Sequence, residues 1–348
     1  MFSILINNIT VFFSKFFAAS DREAVVKAVK DTGAKRVVFI DTPATGELVA
    51  TVRELMDAGV AVVVRDHHDV AGEPRIDRDR AIRAAVEDLR ELVGDACGIS
   101  NRQIDPACSS LVAEGEFVES GTVIVADPDP DGLTAAMKAL GIVYPELDSD
   151  AAVLDGPRKE QTAEQLSPSA MLLVKGMATL PPFDKNRPEV AENAKGKLFA
   201  DFVAMVSGDA EAKASFEAKV EAYEAGVAEA EKISAEATEP ASGVWLVDAV
   251  GRPRFNLQTL IERLEGRDGC RVTVVRKDNG PIAAAQGGVQ YSLAVPRPLQ
   301  GEVNLQVLLP AGFTSSPEAG IISNTTFLLH CSEQVWDSQV LPALQAAK

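Results

Sequence analysis

The first half of the chain alternates short apolar runs with segments whose apolar residues recur at helical spacing. Arg36–Ile40, Ala61–Val64 and Thr122–Ala126 are almost entirely apolar, which is typical of strands buried on both faces of a parallel sheet. Asp21–Thr32 and Gly46–Ala58 carry apolar residues on one face and are predicted to be amphipathic helices. Further helices are predicted at residues 77–93, Ser109–Glu114 and Leu133–Leu140. Strands that alternate with helices predict an α/β fold with a parallel sheet.

The first twenty residues are strongly apolar, but Asn7, Asn8 and Lys15 interrupt them and no basic segment precedes them. This pattern fits a buried strand at Ser3–Asn8 better than a signal peptide or a membrane helix, and a targeting segment is the alternative. The four cysteines show neither CxxC pairs nor zinc-site spacing. We therefore expect free thiols, a cytoplasmic location and no membrane contact.

The composition changes in the middle of the chain. Lys195–Ser207 and Asp209–Glu236 are rich in Ala, Glu and Lys, which favours long exposed helices, and the turn-rich Thr238–Gly243 follows them. Beyond this turn the predicted elements are strands at Val244–Val247, Arg271–Arg276, Ile282–Gln286, Gln290–Val295 and Asn304–Leu309, and a helix at Leu257–Leu264. The sequence thus predicts an α/β domain at residues 1–184, a helical connector at 185–242 and a smaller α+β domain at 243–348.

Charged or metal-binding side chains follow each of the three apolar strands. Asp41 follows the first, Arg65–Asp69 (RDHHD) the second and Asp127–Gly132 (DPDPDG) the third. Ligands of open parallel sheets gather at the carboxyl ends of the strands, so we expect these side chains to meet. Crowded carboxylates repel one another, and a divalent cation is the usual compensation. Mixed carboxylate and imidazole ligands favour Mn²⁺, Fe²⁺ or Zn²⁺ over Ca²⁺.

These motifs resemble those of the DHH phosphoesterases, a family that includes RecJ-type exonucleases, oligoribonucleases and family II pyrophosphatases. Arg65–Asp69 is similar to the family signature, and Asp127–Gly132 resembles its His-x-Asp-x-Asp-Gly motif with Asp in place of His. Asp41 matches the strand-end Asp of the second motif. The Asp-Gly motif follows the DHH motif along this chain, whereas it precedes it in the family, so we interpret the chain as circularly permuted.

Two further family motifs are matched less closely. The fourth motif is an Asp after an apolar run, which Asp155 can supply, with Asp148 and Asp150 as alternatives. The glycine-rich loop of the family's C-terminal domain corresponds to residues 311–320, which lack its histidine. The fold that the resemblance implies is a parallel-sheet DHH-type catalytic domain, joined by the helical connector to the smaller α+β domain.

The resemblance also implies a site with two Mn²⁺ ions per chain, for which Mg²⁺ or Co²⁺ can substitute. The metal ligands that it implies are Asp41, His67, Asp127, Asp129, Asp131 and Asp155. By the same resemblance, Asp41 is expected to bridge the two ions, which together would activate a water for phosphoester hydrolysis. His68 is expected to face the scissile phosphate as a hydrogen-bond donor, and Asp66 to accept a hydrogen bond from a ligating imidazole without binding the metal itself.

Charge limits the substrate that such a site can accept. The net charge of −17 opposes long polyanions, and the whole acidic surplus lies in the first 240 residues. We therefore expect a small nucleotide or short oligonucleotide substrate, and no long nucleic acid as partner. The residues of the last region that are expected to bind its phosphates are Arg252, Arg254, Arg276, Ser315 and Ser316.

Two alternative functions stay open at this point. A RecJ-type single-stranded DNA or RNA exonuclease needs a basic channel and stacking aromatic side chains, but aromatic residues make up only 5% of this chain. A non-catalytic metal-binding relative is the second alternative, which the missing motif histidine favours. The sequence does not fix the oligomeric state, and a homodimer is compatible with it.

Overall fold

The structure is a computed structural model that describes residues 1–16, 18–72, 77–155, 165–181, 188–278, 288–300, 302–309 and 326–346. The chain forms two compact units. The first comprises Met1–Met177 and Glu192–Ala218, and the second Ala178–Ala191 and Lys219–Lys348. The functional domain boundaries expected from the sequence stay a prediction. Among the described helices, none combines the length and apolar composition that a membrane span requires.

The first unit is built around a six-stranded sheet. Its strands are β1 (Phe2–Ile6), β2 (Ile9–Phe13), β3 (Arg36–Ile40), β4 (Ala61–Asp66), β5 (Cys97–Ile99) and β6 (Thr122–Ala126). The helices that follow or connect them are α1 (Ala19–Asp31), α2 (Gly46–Asp57), α3 (Asp77–Val93), α4 (Pro130–Ala139), α5 (Leu147–Leu154), α6 (Pro168–Ala178), α7 (Pro188–Val206) and α8 (Ala210–Ala235). The last of these continues into the second unit.

The sheet order is β1-β2-β6-β3-β4-β5, in which only β1 is antiparallel to its neighbour. Successive residues of β3 point to opposite faces, and both Phe39 and Ile40 are fully buried. Phe39 packs with Val25 of α1 and Leu48 of α2 in one apolar core. The continuous apolar runs therefore form strands covered on both faces, and the predicted α/β class is confirmed.

Local turn chemistry explains where the observed elements differ from the predicted ones. The strand predicted at Ser3–Asn8 is a hairpin of β1 and β2, because Asn7 and Asn8 adopt φ of 48° and 65° and form the turn between them. The helix predicted at Leu133–Leu140 begins earlier, since Asp129 caps α4 at its N-terminus. The helix predicted at Ser109–Glu114 is wrong, because only a short 3₁₀ turn, Cys108–Leu111, forms there.

The second unit contains a five-stranded sheet in the order β11-β10-β9-β8-β7. The strands are β7 (Thr238–Ala241), β8 (Val244–Asp248), β9 (Val272–Lys277), β10 (Gln290–Ala294) and β11 (Thr326–His330). Its helical elements include α9 (Leu257–Glu265), the short α10 (Leu305–Leu308), the turn Arg297–Leu299, and the consecutive segments Glu333–Val335, Trp336–Val340 and Leu341–Ala346. This sheet with its helices confirms the smaller α+β region.

Not every predicted strand of this region forms. The strand predicted at Asn304–Leu309 is wrong, because the chain makes the helical turn α10 there. This turn buries Leu305 and Leu309, four residues apart, and leaves Val307 78% exposed. Helical spacing thus buries these leucines without a strand. The strand predicted at Ile282–Gln286 lies outside the described residues.

Candidate metal centre

The sheet order brings together side chains that are distant in sequence. β6 lies beside β3, and β3 lies beside β4, all parallel. Their carboxyl ends therefore meet at one edge, where Asp127 follows β6, Asp41 follows β3 and His67 follows β4. The expectation that the strand-end motifs lie close together is therefore confirmed, whereas their roles as metal ligands stay a prediction. The DPDPDG motif lies beside Asp41 although more than eighty residues separate them.

Asp41 turns sharply as β3 ends. Its φ is 56°, in the left-handed region that Asp and Asn tolerate better than other residues with side chains. Its backbone N–H donates to the Arg65 carbonyl at 2.8 Å, which anchors the turn to β4. The Asp41 side chain is completely buried. The turn therefore aims a carboxylate into the interior at the sheet edge, a conformation associated with functional sites.

The DPDPDG segment is shaped by its own side chains. Asp129 accepts a hydrogen bond from the Gly132 N–H at 2.8 Å and caps α4, in which Pro130 occupies the first turn. A Cβ atom at Gly132 would lie 2.4 Å from the Asp127 carbonyl oxygen, so only glycine fits there. This tight turn places Asp131 inside the first turn of α4, where it is completely buried.

His67 lies at the centre of the cluster. The Asp105 carbonyl can only accept a hydrogen bond, so His67 Nδ1, at 3.0 Å from that oxygen, is the protonated nitrogen. Its Nε2 then carries a lone pair and lies 3.1 Å from Asp41 Oδ1, 3.3 Å from Asp131 Oδ2 and 3.8 Å from Asp155 Oδ2. The lone pair of Nε2 therefore faces oxygen atoms of three carboxyl groups, which are themselves acceptors when ionised.

These acceptors are buried and lack partners. Within the part of the chain that the structure describes, His67 Nε2, both Asp41 oxygens and Asp131 Oδ1 have no hydrogen-bond partner. Buried polar atoms normally have one, since leaving such an atom unpaired is costly. A divalent cation bonded to all of them would satisfy every one. The donor set therefore fits a metal ion, and two overlapping groups bring potential ligand atoms within 4.8 Å: Asp41, His67 and His68, and His67, Asp131 and Asp155.

The electrostatics of the cluster also fit a cation. Burial, followed by neighbouring carboxylates, raises the pKa of Asp41 and of Asp131 well above the usual range. Burial, followed by the charge of His68, lowers the pKa of His67 to about 4. Without a metal, the protein therefore resists both the negative charge of the carboxylates and the positive charge of the imidazole. A bound cation would favour ionised carboxylates and a neutral histidine, which are the ligand forms.

His68 has a different set of partners from His67. Asp66 Oδ1 lies 2.7 Å from His68 Nδ1, and the other Asp66 oxygen accepts from the His68 backbone N–H. Arg102 Nη2 donates to His68 Nε2 at 2.6 Å. Because arginine only donates, His68 Nε2 is the acceptor, and Nδ1 carries the proton that Asp66 accepts. Asp66, which was expected to hold a ligating imidazole, therefore orients His68, whereas the Asp105 carbonyl orients His67. In this arrangement neither ring nitrogen of His68 has a proton free for a phosphate, so the donor role expected of His68 stays a prediction.

The three candidates for the fourth-motif carboxylate differ in surroundings. Asp148 pairs with Lys138 at 2.8 Å and is exposed. Asp150 is completely buried and accepts from the Ser167 backbone N–H at 2.9 Å. Only Asp155 joins the His67 cluster. The geometry therefore favours Asp155, and its role as a ligand stays a prediction.

Asp127 and Asp129 lie near the cluster but outside the two groups of potential ligands. Both line the same cleft as His67 and His68. Burial, followed by the charge of Asp129, raises the pKa of Asp127 to about 7, whereas Lys15 and Lys195 oppose this rise. Lys195 of α7 also donates to the Pro128 carbonyl. These lysines partly offset the charge of the carboxylate that stands in place of the motif histidine.

The arginines expected to bind substrate have intramolecular partners in the second unit. Arg252 pairs with Glu236, and Arg276 pairs with Asp248. Arg254 donates to the carbonyls of Ala178 and Leu180, the latter at 2.6 Å. Their role in substrate binding stays a prediction. Ser315 and Ser316 lie outside the described residues.

Replacing His67 and His68 by alanine, one at a time, distinguishes their roles. We expect His67→Ala to lower metal affinity, because it removes the unpartnered Nε2 at the centre of the cluster. His68→Ala should keep the metal content, since Asp66 and Arg102 already engage both ring nitrogens of His68. It should lower turnover, because it removes the side chain that lies beside the cluster in the cleft wall and holds Arg102 there. Elemental analysis of both variants after Mn²⁺ loading measures this difference. Equal loss of metal from both variants would show that His68 is a ligand too.

No protein-family model matches the sequence, and no curated protein matches it either. Several solved structures are similar to the chain, among them the following two. One is a pGpG-specific phosphodiesterase from Vibrio cholerae, 12% identical over 90% of this chain and 97% of that chain, with a TM-score of 0.40. The other is the DHH domain of a member of a ribosomal protein family, 14% identical over 96% of this chain and 76% of that chain, with a TM-score of 0.41. At these values the family is not assigned from the similarity, and a functional proposal depends on the site.

Proposed function

We propose that the protein is a divalent-metal-dependent phosphoesterase of the DHH type, which hydrolyses phosphoester bonds of a small nucleotide or short oligonucleotide. One observation carries this proposal. Buried oxygen atoms of Asp41 and Asp131 that lack hydrogen-bond partners lie around His67 Nε2, and this cluster lies beside an open cleft. A site that only stabilises the fold would be expected to be closed. The permuted order of the motifs is part of the same proposal.

The residues of the chain would divide the work at this site. His67, Asp41, Asp131 and Asp155 would hold one ion, and Asp127 and Asp129, together with Asp41, would hold a second, most suitably Mn²⁺. Bound divalent cations supply Lewis acidity, which lowers the pKa of water and offsets charge on phosphate oxygens. The Asp105 carbonyl keeps His67 in the tautomer that presents Nε2. The Cys108 N–H orients Asp131 by donating to its Oδ2 at 3.2 Å.

The volume of the cleft beside the cluster supports a small substrate. It encloses about 590 Å³, within the range of roughly 300–1,000 Å³ that is usual for small-molecule sites. Its wall combines polar residues such as Asn101 and Gln103 with apolar ones such as Val70 and Ile82. This mixture suits a nucleoside, which has an apolar ring face and polar edges. His68 and Arg102 line the same wall and lie beside the cluster.

A series of oligonucleotide lengths tests this proposal directly. We expect Mn²⁺-dependent initial rates to be highest for substrates of about five nucleotides or fewer, because the charge of −17 repels longer polyanions. The measurement is the initial rate from two to thirty nucleotides at fixed ionic strength, with chelated protein as the control. A rate that rises steadily with length would favour a RecJ-type exonuclease instead. If no oligonucleotide of the series were hydrolysed in the presence of metal, the protein would instead be a non-catalytic metal-binding relative.

A further inference from the structure

Arg102 is a cation in the cleft to which the sequence motifs assign no role. Its Nη2 contacts two groups of the candidate centre, His68 Nε2 and Asp155 Oδ1. The side chain is 45% exposed and forms part of the cleft wall. Arg102 thus lies between the metal cluster and the solvent from which a substrate would arrive.

The loop that carries Arg102 is held by its own hydrogen bonds. The Asn101 side chain accepts from the N–H groups of Gln103 and Ile104, at 3.0 and 3.3 Å, and the Asp105 N–H donates to the Asn101 carbonyl. The Ser100 N–H donates to the Asp66 carbonyl at 2.8 Å. The same loop therefore supplies the carbonyl that orients His67 and the guanidinium that contacts His68. Its geometry is set before any ligand binds.

The guanidinium has donors left for a ligand. A guanidinium carries five N–H donors, and both contacts of Arg102 use Nη2 alone. Among the described residues, Nε and Nη1 of Arg102 have no acceptor. Nε and Nη1 point in different directions, so each can donate a separate charge-assisted hydrogen bond to a phosphate oxygen. The neighbouring Asp155 would be drawn towards a bound metal, which would weaken its hold on Arg102.

We propose that Arg102 binds the phosphate group of the substrate through the guanidinium donors that His68 and Asp155 do not use. This inference rests on the proposed phosphoesterase function and adds a substrate-binding residue to it. It also places the phosphate on the side of the cluster where His68 lies, because Nη2 already contacts His68. The simpler role, in which Arg102 only neutralises Asp155, predicts an effect on metal binding and none on phosphate.

The test measures phosphate binding directly, with inorganic phosphate as the probe. Calorimetric titration of the Mn²⁺-loaded full-length protein compares wild type, Arg102→Ala and Arg102→Lys. Loss of charge-assisted hydrogen bonds should raise the dissociation constant about 10- to 100-fold in Arg102→Ala, which corresponds to about 1.4–2.7 kcal/mol. Arg102→Lys should lie between the two, because it keeps the charge but cannot place donors at the positions of both Nε and Nη1. The manganese content of each protein is determined on the same samples.

Arg36→Ala is the matched control, because Arg36 begins β3 at the opposite edge of the sheet and pairs with exposed Glu119. It should leave phosphate affinity unchanged. An unchanged phosphate affinity of Arg102→Ala at full metal content would overturn the inference. A loss of phosphate binding only in proportion to lost manganese would also overturn it, since Arg102 would then act through Asp155.

The same experiment separates this inference from the proposed function. If the wild type hydrolyses short substrates and Arg102→Ala has unchanged KM and unchanged phosphate affinity, the function stands and the role of Arg102 is wrong. If no substrate is hydrolysed but phosphate binding weakens in Arg102→Ala, the role of Arg102 is supported and the catalytic function is wrong. A wild-type protein that binds no phosphate when loaded with manganese would contradict the role of Arg102.

Discussion

Asp41→Asn should abolish tight divalent-metal binding and, with it, phosphoesterase turnover. Asp41 supplies two buried oxygens without hydrogen-bond partners, one of them 3.1 Å from His67 Nε2. Outer partners of metal ligands alone are typically worth roughly 10–100-fold in affinity, so losing a direct carboxylate ligand should exceed about 100-fold. Elemental analysis after Mn²⁺ loading and desalting, with a Mn²⁺ titration for affinity, measures the loss.

Asn is the informative replacement because of the backbone at this position. Asn matches Asp in shape and also tolerates the left-handed φ of 56°, so the turn after β3 should survive. Asp148→Asn is the matched control, because it removes the same charge from an exposed residue that pairs with Lys138. The control should retain the metal. Full metal content and unchanged Mn²⁺ affinity in Asp41→Asn would show that no carboxylate is needed at this position and would contradict the bridging role proposed for Asp41, because an amide offers only one oxygen.

The sequence predicted the location of the centre better than its internal contacts. The apolar runs of β3, β4 and β6 require a sheet buried on both faces, and the carboxyl ends of such strands share an edge. The meeting of Asp41, His67 and Asp131 follows from that pattern. The partners of the histidines do not follow from it. The Asp105 carbonyl can be supplied by any residue type, so no side-chain motif predicts it.

Arg102 is a second site residue that the sequence pattern does not predict. It lies in a loop after β5, between a short strand and a 3₁₀ turn, where neither apolar spacing nor a strand end marks it. Its proximity to His68 depends on the bridge between His68 and Asn101, which is a tertiary contact. By contrast, the hairpin of β1 and β2 could be predicted from the sequence, because the adjacent Asn7 and Asn8 are a local turn signal. Local signals were thus available for the fold, but not for Asp105 and Arg102, which contact the two histidines.

The metal-free protein should become less stable as the pH rises from 6.5 to 8. Asp41 and Asp131 have pKa values raised well above their ordinary value of 3.8, so the stability that their protonated forms contribute is lost as the pH rises. Each retained proton corresponds to up to about 1.4 kcal/mol per pH unit. His67 acts in the opposite sense, but only below its ordinary pKa of 6.5 and down to about 4. Thermal unfolding of chelated protein at a series of pH values measures the slope.

Two mechanisms could lower the stability as the pH rises: deprotonation of the buried Asp41 and Asp131, and repulsion among all the negative charges of the chain. Metal loading and two variants distinguish them. Bound Mn²⁺ should flatten the slope, because it stabilises the ionised carboxylates that the metal-free protein resists. Metal-free Asp41→Asn should be more stable than wild type at pH 8, since it removes a buried ionisable group. Asp148→Asn removes one negative charge, as Asp41→Asn does, but from an exposed residue, so it should leave the slope unchanged. If Asp148→Asn flattened the slope as much as Asp41→Asn, overall charge rather than the buried cluster would control the pH dependence.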